Sequence, residues 1–150
     1  IHTVAAGGGS ICSFDGARFL LVDSASATVH ERVYQFIEEA LARPGSPVRI
    51  AAMHLPPFDF SGWRDGGFSS RAEAAKMMSL LSTGGVDLLL SGHIHTLDVS
   101  RSGRVDTVVS GNGGVKNEAR LDGSSLHYLD IAIDPVAERV EVVPVEVDGG

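Results

Sequence analysis

Three short apolar runs, each ending in a polar residue, constrain this chain more than any other feature. They are Arg18-Phe19-Leu20-Leu21-Val22-Asp23, then Val48–Met53 (VRIAAM) followed by His54, then residues 86–90 (VDLLL) followed by Ser91-Gly92-His93. Runs of this kind suit strands covered on both faces, as in a parallel sheet. Parallel neighbours need crossover connections, and the intervening segments have the right period. Residues 28–43 place Val29, Val33, Phe36, Ile37, Ala40 and Leu41 at helical spacing. Thr28-x-x-Glu31 opens that segment as a capping box, and Arg43-Pro44-Gly45 stops it. A second helix is expected over about 70–82, opening with Ser70-x-x-Glu73, turning Met77, Leu80 and Leu81 inward, and ending at Gly84-Gly85. Strand, helix, strand, helix, strand implies an α/β fold with right-handed crossovers.

After His95 the pattern changes to shorter alternating segments: 97–101, a Ser102-Gly103 turn, 104–110, then 126–133 and 139–147 around Asp134-Pro135. This predicts an antiparallel meander. No internal repeat or domain boundary is visible, so residues 1–150 are expected to form a single partial domain. Ala5-Ala6-Gly7-Gly8-Gly9-Ser10 reads as a flexible lead-in over residues 1–10, because glycine is costly to order. It lacks the Gly-Lys-Ser/Thr that would make it a phosphate-binding loop.

At 150 residues, with 43% hydrophobic and 21% charged residues, the chain can bury a real core. Its apolar runs fall far short of the roughly 20 residues a spanning helix needs, so a soluble chain with no membrane partner is expected. A net charge of −7 argues against nucleic acid as a broad-surface partner, while leaving a local anion site open. The one cysteine, Cys12, excludes a disulfide framework, and any metal would be held by nitrogen and oxygen. This is compatible with a cytoplasmic location. The chain starts at Ile1 without a leader pattern, and reads as a fragment or processed product.

Of six histidines, three follow apolar strands directly: His54 in Met53-His54-Leu55-Pro56-Pro57, and His93 with His95 in Ser91-Gly92-His93-Ile94-His95. Ligands bind beyond the carboxyl ends of strands in open α/β sheets, so these imidazoles stand where a site is expected. Residues two apart in extended backbone point to one side, and neutral imidazole binds zinc, iron and manganese. Gly92 would permit a turn that a side chain obstructs, and Pro56-Pro57 stiffens the loop carrying His54. His30 is expected on a solvated helix face, and neither His2 nor His127 has a ligand context. Asp15 and Asp23 are ligand candidates in principle, but Asp23, at a strand end, reads rather as a structural hydrogen-bond acceptor. Phe58, Phe60, Trp63 and Arg64 follow His54; they either form a substrate rim, with Arg64 facing a phosphate, or pack beneath the loop.

The ordered set of apolar strand, His-x-Pro-Pro, helix, apolar strand and Gly-His-x-His resembles the second half of the calcineurin-like metallophosphoesterases. Ser13-Phe14-Asp15-Gly16, Leu21-Val22-Asp23-Ser24 and Val108-Val109-Ser110-Gly111-Asn112-Gly113-Gly114 extend that resemblance. It implies half of an α/β/β/α sandwich. It implies also that His54 and His93 serve one divalent ion and His95 a second (manganese, iron, zinc or similar), in two-metal hydrolysis of a phosphomonoester or phosphodiester. The family's Asp-x-His, Gly-Asp-x-x-Asp and Gly-Asn-His-Asp/Glu motifs are absent from this sequence. No catalytic residue is therefore assigned here, and the expected partner is a missing N-terminal half of the domain. Without it, little metal occupancy, no turnover and self-association through uncovered apolar surface are expected. The alternative is a non-catalytic half-domain or degenerate homologue acting as a binding module.

Overall fold

The apolar runs become strands, and the two-residue alternation of their side chains builds a separate core on each face of one sheet. A computed structural model describes residues 2–6, 8–60, 62, 65–111 and 126–147. In chain order the elements are β1 (His2–Ala6), β2 (Gly9–Phe14), β3 (Ala17–Val22), α1 (Glu31–Ala42), β4 (Val48–Met53), α2 (Arg71–Thr83), β5 (Leu88–Ser91), β6 (Leu97–Ser102), β7 (Val105–Ser110), β8 (His127–Asp134) and β9 (Arg139–Glu146). Seven strands form one sheet in the order β1-β2-β3-β4-β5-β7-β6, and β8 and β9 form a second, two-stranded sheet. Strands β3, β4, β5 and β7 run parallel, while the pairs β1–β2, β2–β3 and β6–β7 are antiparallel.

On one face Leu20, Val22, Ala51, Met53 and Leu89 pack against Val33, Phe36, Ile37, Leu41, Met77 and Leu81 of the two helices. On the other, Ala17, Val48, Ile50, Leu88 and Val108 meet Leu129, Ile131, Ile133, Val140 and Val142 of the β8–β9 hairpin. The result is helix, sheet, sheet: three of the four layers of the sandwich expected from the sequence. Neither helix has a basic residue in its last turn. Arginines on the helix-facing side of the sheet complete those ends instead. Arg18 donates to the carbonyls of Ala40, Arg43 and Pro44 at 2.6–3.0 Å, and Arg49 donates to Leu41 and Gly84. Cationic donors at helix C-termini satisfy orphan carbonyls and favour the dipole. Burial first, then the charges of Arg49 and Arg43, lower the Arg18 guanidinium from its ordinary value.

Three expectations are corrected. Residues 1–10 do not precede the sheet as a lead-in: β1 and the start of β2 lie within them, paired from His2↔Ser13 to Ala6↔Gly9. Hairpin chemistry accounts for β2, since Asp15 (φ 45°) and Gly16 (φ 79°) turn it into β3 as an Asp-Gly loop favours. The Thr28-x-x-Glu31 box does not form. Helix α1 is capped by His30, whose Nδ1 accepts the Arg32 N–H at 3.2 Å, while Thr28 donates to Glu73 of α2. Glu73 also accepts from the Val29 N–H at 2.6 Å and the Tyr34 hydroxyl at 3.3 Å, so three donors draw it away from its own cap. Ser70 does cap α2, accepting the Glu73 N–H at 3.3 Å. Lastly, the segments after His95 are hairpins but not one meander, because β7 pairs in parallel with β5 and β8–β9 crosses to the other layer. Among the described residues no helix is long and apolar enough to cross a membrane.

Candidate functional site

Parallel pairing aligns the strand ends that carry the histidines. Met53 pairs with Ser91 and Ser91 with Val109, so His54, Gly92 and Ser110 leave the sheet side by side. Two hydrogen-bonded devices fix the loops. Fully buried Ser24, just beyond β3, accepts the Leu55 N–H at 2.8 Å and donates to the Leu55 carbonyl at 3.1 Å, clamping the chain after His54. The Gly92 N–H donates to the His54 carbonyl at 3.0 Å, joining the two histidine loops. Asp23 acts as the structural acceptor expected of it, taking the Ala25 N–H at 3.1 Å.

The Gly92-to-Thr96 segment is coiled by two i→i+2 bonds, Ile94 N–H to Gly92 O and Thr96 N–H to Ile94 O, each 2.7 Å. His93 therefore has a left-handed φ of 63°, an uncommon conformation for a residue with a side chain. This corrects two readings. His93 is not extended, and the strained position is His93 rather than Gly92, where an added Cβ would meet nothing nearer than 3.7 Å. The glycine that the loop does require is Gly111. A Cβ there would lie 1.9 Å from the Ile94 carbonyl oxygen and 2.9 Å from the His95 Cα, while its N–H donates to Thr96 O at 3.0 Å.

The outcome is a pair of touching imidazoles. His93 Nδ1 lies 3.2 Å from His54 Nε2, with ring centroids 5.1 Å apart and planes at 77°. His95 lines the same cleft, about 570 Å³ in volume, together with Asp65, Ser110 and Gly111. Among the described residues no three His, Cys, Asp or Glu side chains are grouped closely enough to hold one ion. The pair nonetheless suits a shared cation. Two nitrogens each about 2.0–2.1 Å from one tetrahedral ion stand ~3.3 Å apart, close to the separation found here. Without an ion, the same contact needs one ring to donate and the other to accept.

A second cleft of about 530 Å³ adjoins the first through Asp65, and Phe58, Phe60, Phe68 and Arg71 line it. Phe58 is partly buried against the helix-side core while facing Phe60 at a centroid distance of 5.9 Å, so it packs beneath the loop and lines the cleft at once. Trp63 and Arg64 lie outside the described residues. Asp59 holds this loop, accepting from the Gly62 and Gly66 N–H groups at 3.2 Å each. His30 is exposed as the α1 cap. His127, which has no ligand context in sequence, is 5% exposed and lies 3.0 Å from the Ser110 hydroxyl. Its signal was its phase: it shares the inward side of β8 with Leu129, Ile131 and Ile133.

No curated protein matches the chain in sequence. Solved structures that share its fold include the following two. One, titled as GAP50, the anchor in the inner membrane complex of Plasmodium, aligns with a TM-score of 0.55 at 20% identity over 75% of this chain and 36% of its own. The other, titled as the structure of PhoD, aligns with a TM-score of 0.52 at 11% identity over 69% of this chain and 28% of its own. The chain thus spans about a third of the length of either. A family model described as calcineurin-like phosphoesterase matches residues 2–97, from β1 through both histidine loops. The chain belongs to the calcineurin-like phosphoesterase family.

Proposed function

We propose that these residues form the histidine half of a metal-dependent phosphoesterase site. The observation that carries the reading is the 3.2 Å nitrogen contact between His54 and His93 at the carboxyl ends of adjacent parallel strands. His54 and His93 hold one divalent ion, and His95, in the same cleft, serves a second. Bound there, such ions supply the positive charge that binds and polarises a phosphoryl group. The chain's own part is to keep two nitrogens converged, through the Gly92–His54 backbone bond, the Ser24 clamp and the close approach of Gly111. Phe58, which lines the adjoining cleft, forms part of the rim around the esterified group.

The bridging carboxylate and catalytic histidine come from sequence outside these 150 residues, so this chain alone gives no turnover of a monoester or diester. Metal identity is set among manganese, iron and zinc by that completed ligand set. One observation favours a second reading, in which the half-domain binds without turnover: a fold relative is titled the anchor in the inner membrane complex of Plasmodium. Assaying para-nitrophenyl phosphate and its bis-ester with added manganese separates the two. The full-length protein should turn over one of them and this chain neither, with His93→Ala in the full-length protein lowering kcat/KM by at least about 100-fold. Metal binding without turnover by the full-length protein would favour the module. Robust turnover by this chain, lost in His93→Ala, would overturn the half-site reading.

A further inference from the structure

Ser110 ends β7 beside the histidine loops and lines their cleft, yet its hydroxyl is also engaged from behind. His127, the first residue of β8, reaches it from the other layer, with Nε2 3.0 Å from Ser110 Oγ. Every other inward position of β8 is apolar: Leu129, Ile131 and Ile133 all pack against the sheet. A polar ring at a 5% exposed position in that row costs stability unless its nitrogens are bonded, and an apolar residue would fill the place without that demand. The imidazole is directed at the one β7 side chain that borders the cleft.

We propose that Ser110 contacts the phosphate oxygens of the substrate and that His127 is its positioning residue. This rests on the phosphoester reading above. The chemistry fixes the proton. A phosphate oxygen only accepts, so Ser110 must donate its O–H to the cleft, and His127 must then donate Nε2–H to Ser110 Oγ. Donation to an anion makes this bond stronger than one between neutral groups. The arrangement also ties the β8–β9 sheet to the site, so that the second layer orients a group in the first.

The test is calorimetric titration of inorganic phosphate into the manganese-loaded full-length protein, with melting temperature recorded alongside. Ser110→Ala and His127→Phe should each weaken phosphate binding roughly fivefold to tenfold, and the double variant no more than either alone, since both remove one oriented donor. His127→Gln, which keeps a donor, should retain most of the affinity. A purely structural bond would instead lower the melting temperature and leave phosphate affinity unchanged, which would overturn the proposal. Ser110→Ala removes one oxygen and decides the matter even if His127→Phe fails to fold. Wild-type protein that binds manganese but no phosphate would overturn the phosphoester reading and this inference with it. Wild-type binding that Ser110→Ala leaves untouched would overturn this inference alone.

Discussion

His93 Nδ1 lies 3.2 Å from His54 Nε2 across 39 residues of sequence, because parallel pairing of β4 with β5 sets the two strand ends level. Nothing local to either loop would bring them together. The convergence belongs to the sheet register, and the tight loop after Ser91 completes it.

That loop depends on Gly111. Gly111→Ala would put a methyl carbon 1.9 Å from the Ile94 carbonyl oxygen, a contact with backbone that no rotamer change relieves. Thermal denaturation should show a loss of about 2 kcal/mol or more, of the size strain and overpacking produce, together with weakened metal binding. Gly92→Ala, whose nearest neighbours are 3.7–4.0 Å away, should be tolerated. Equal effects at the two glycines would contradict the described packing.

Glu73 joins the two helices through Thr28, the Val29 N–H and Tyr34. Glu73→Ala leaves those donors without their acceptor and should destabilise the fold by about 1–3 kcal/mol in urea denaturation. Glu73→Gln, which keeps one acceptor oxygen, should lose less. A neutral Glu73→Ala would mean that water replaces the carboxylate at no cost.

Tyr34 gives the fold an alkaline limit. Burial first, then the charge and hydrogen bond of Glu73 and the charge of Glu31, raise its phenol above the ordinary value of 10.0. The folded chain holds this proton more tightly than the unfolded one. The resulting stability is complete below about pH 10 and is lost as pH rises beyond it. Denaturation midpoints followed from about pH 8 to about pH 11 should fall more steeply for the wild type than for Tyr34→Phe. Parallel curves would show that Tyr34 does not set the limit.

Phe14 at 59% exposed, Val99 at 64% and Val143 at 49% leave apolar side chains on β2, on the edge strand β6 and on β9. Exposed edges and apolar patches drive association, which a charge of −7 opposes only within the ~8 Å screening length of physiological salt. Light scattering over a dilution series should give masses above the monomer at high concentration, reduced by Val99→Lys. A monomeric mass throughout, without hydrophobic dye binding, would refute this.

The central architecture was legible because its signals are local. The unbroken runs of β3, β4 and β5 and the helical spacing of Val33, Phe36, Ile37 and Leu41 appear directly in the chain. The order of His54 and Gly92-His93-Ile94-His95 marked the candidate site for the same reason. The β2–β3 hairpin carries a strong turn signal in Asp15-Gly16, but β1 was not legible, because the glycines at 7–9 read as a flexible lead-in. What escaped the sequence depends on distant partners. Glu73 turns to Thr28 across 45 residues, and Gly111 is needed for its approach to Ile94 rather than for a turn. His127 matters through Ser110, whose nearness arises only when the second sheet covers the first.

The most direct test of the account is zinc titration of the metal-free chain, comparing wild type with His54→Ala and His93→Ala. The wild type should hold about one ion per chain, weakly, and show two imidazole nitrogens at about 2.0–2.1 Å by X-ray absorption. Either substitution should reduce the affinity by at least about tenfold and to the same extent, while Phe58→Ala leaves it unchanged. Wild-type affinity retained in both histidine variants would contradict the shared site on which this account rests.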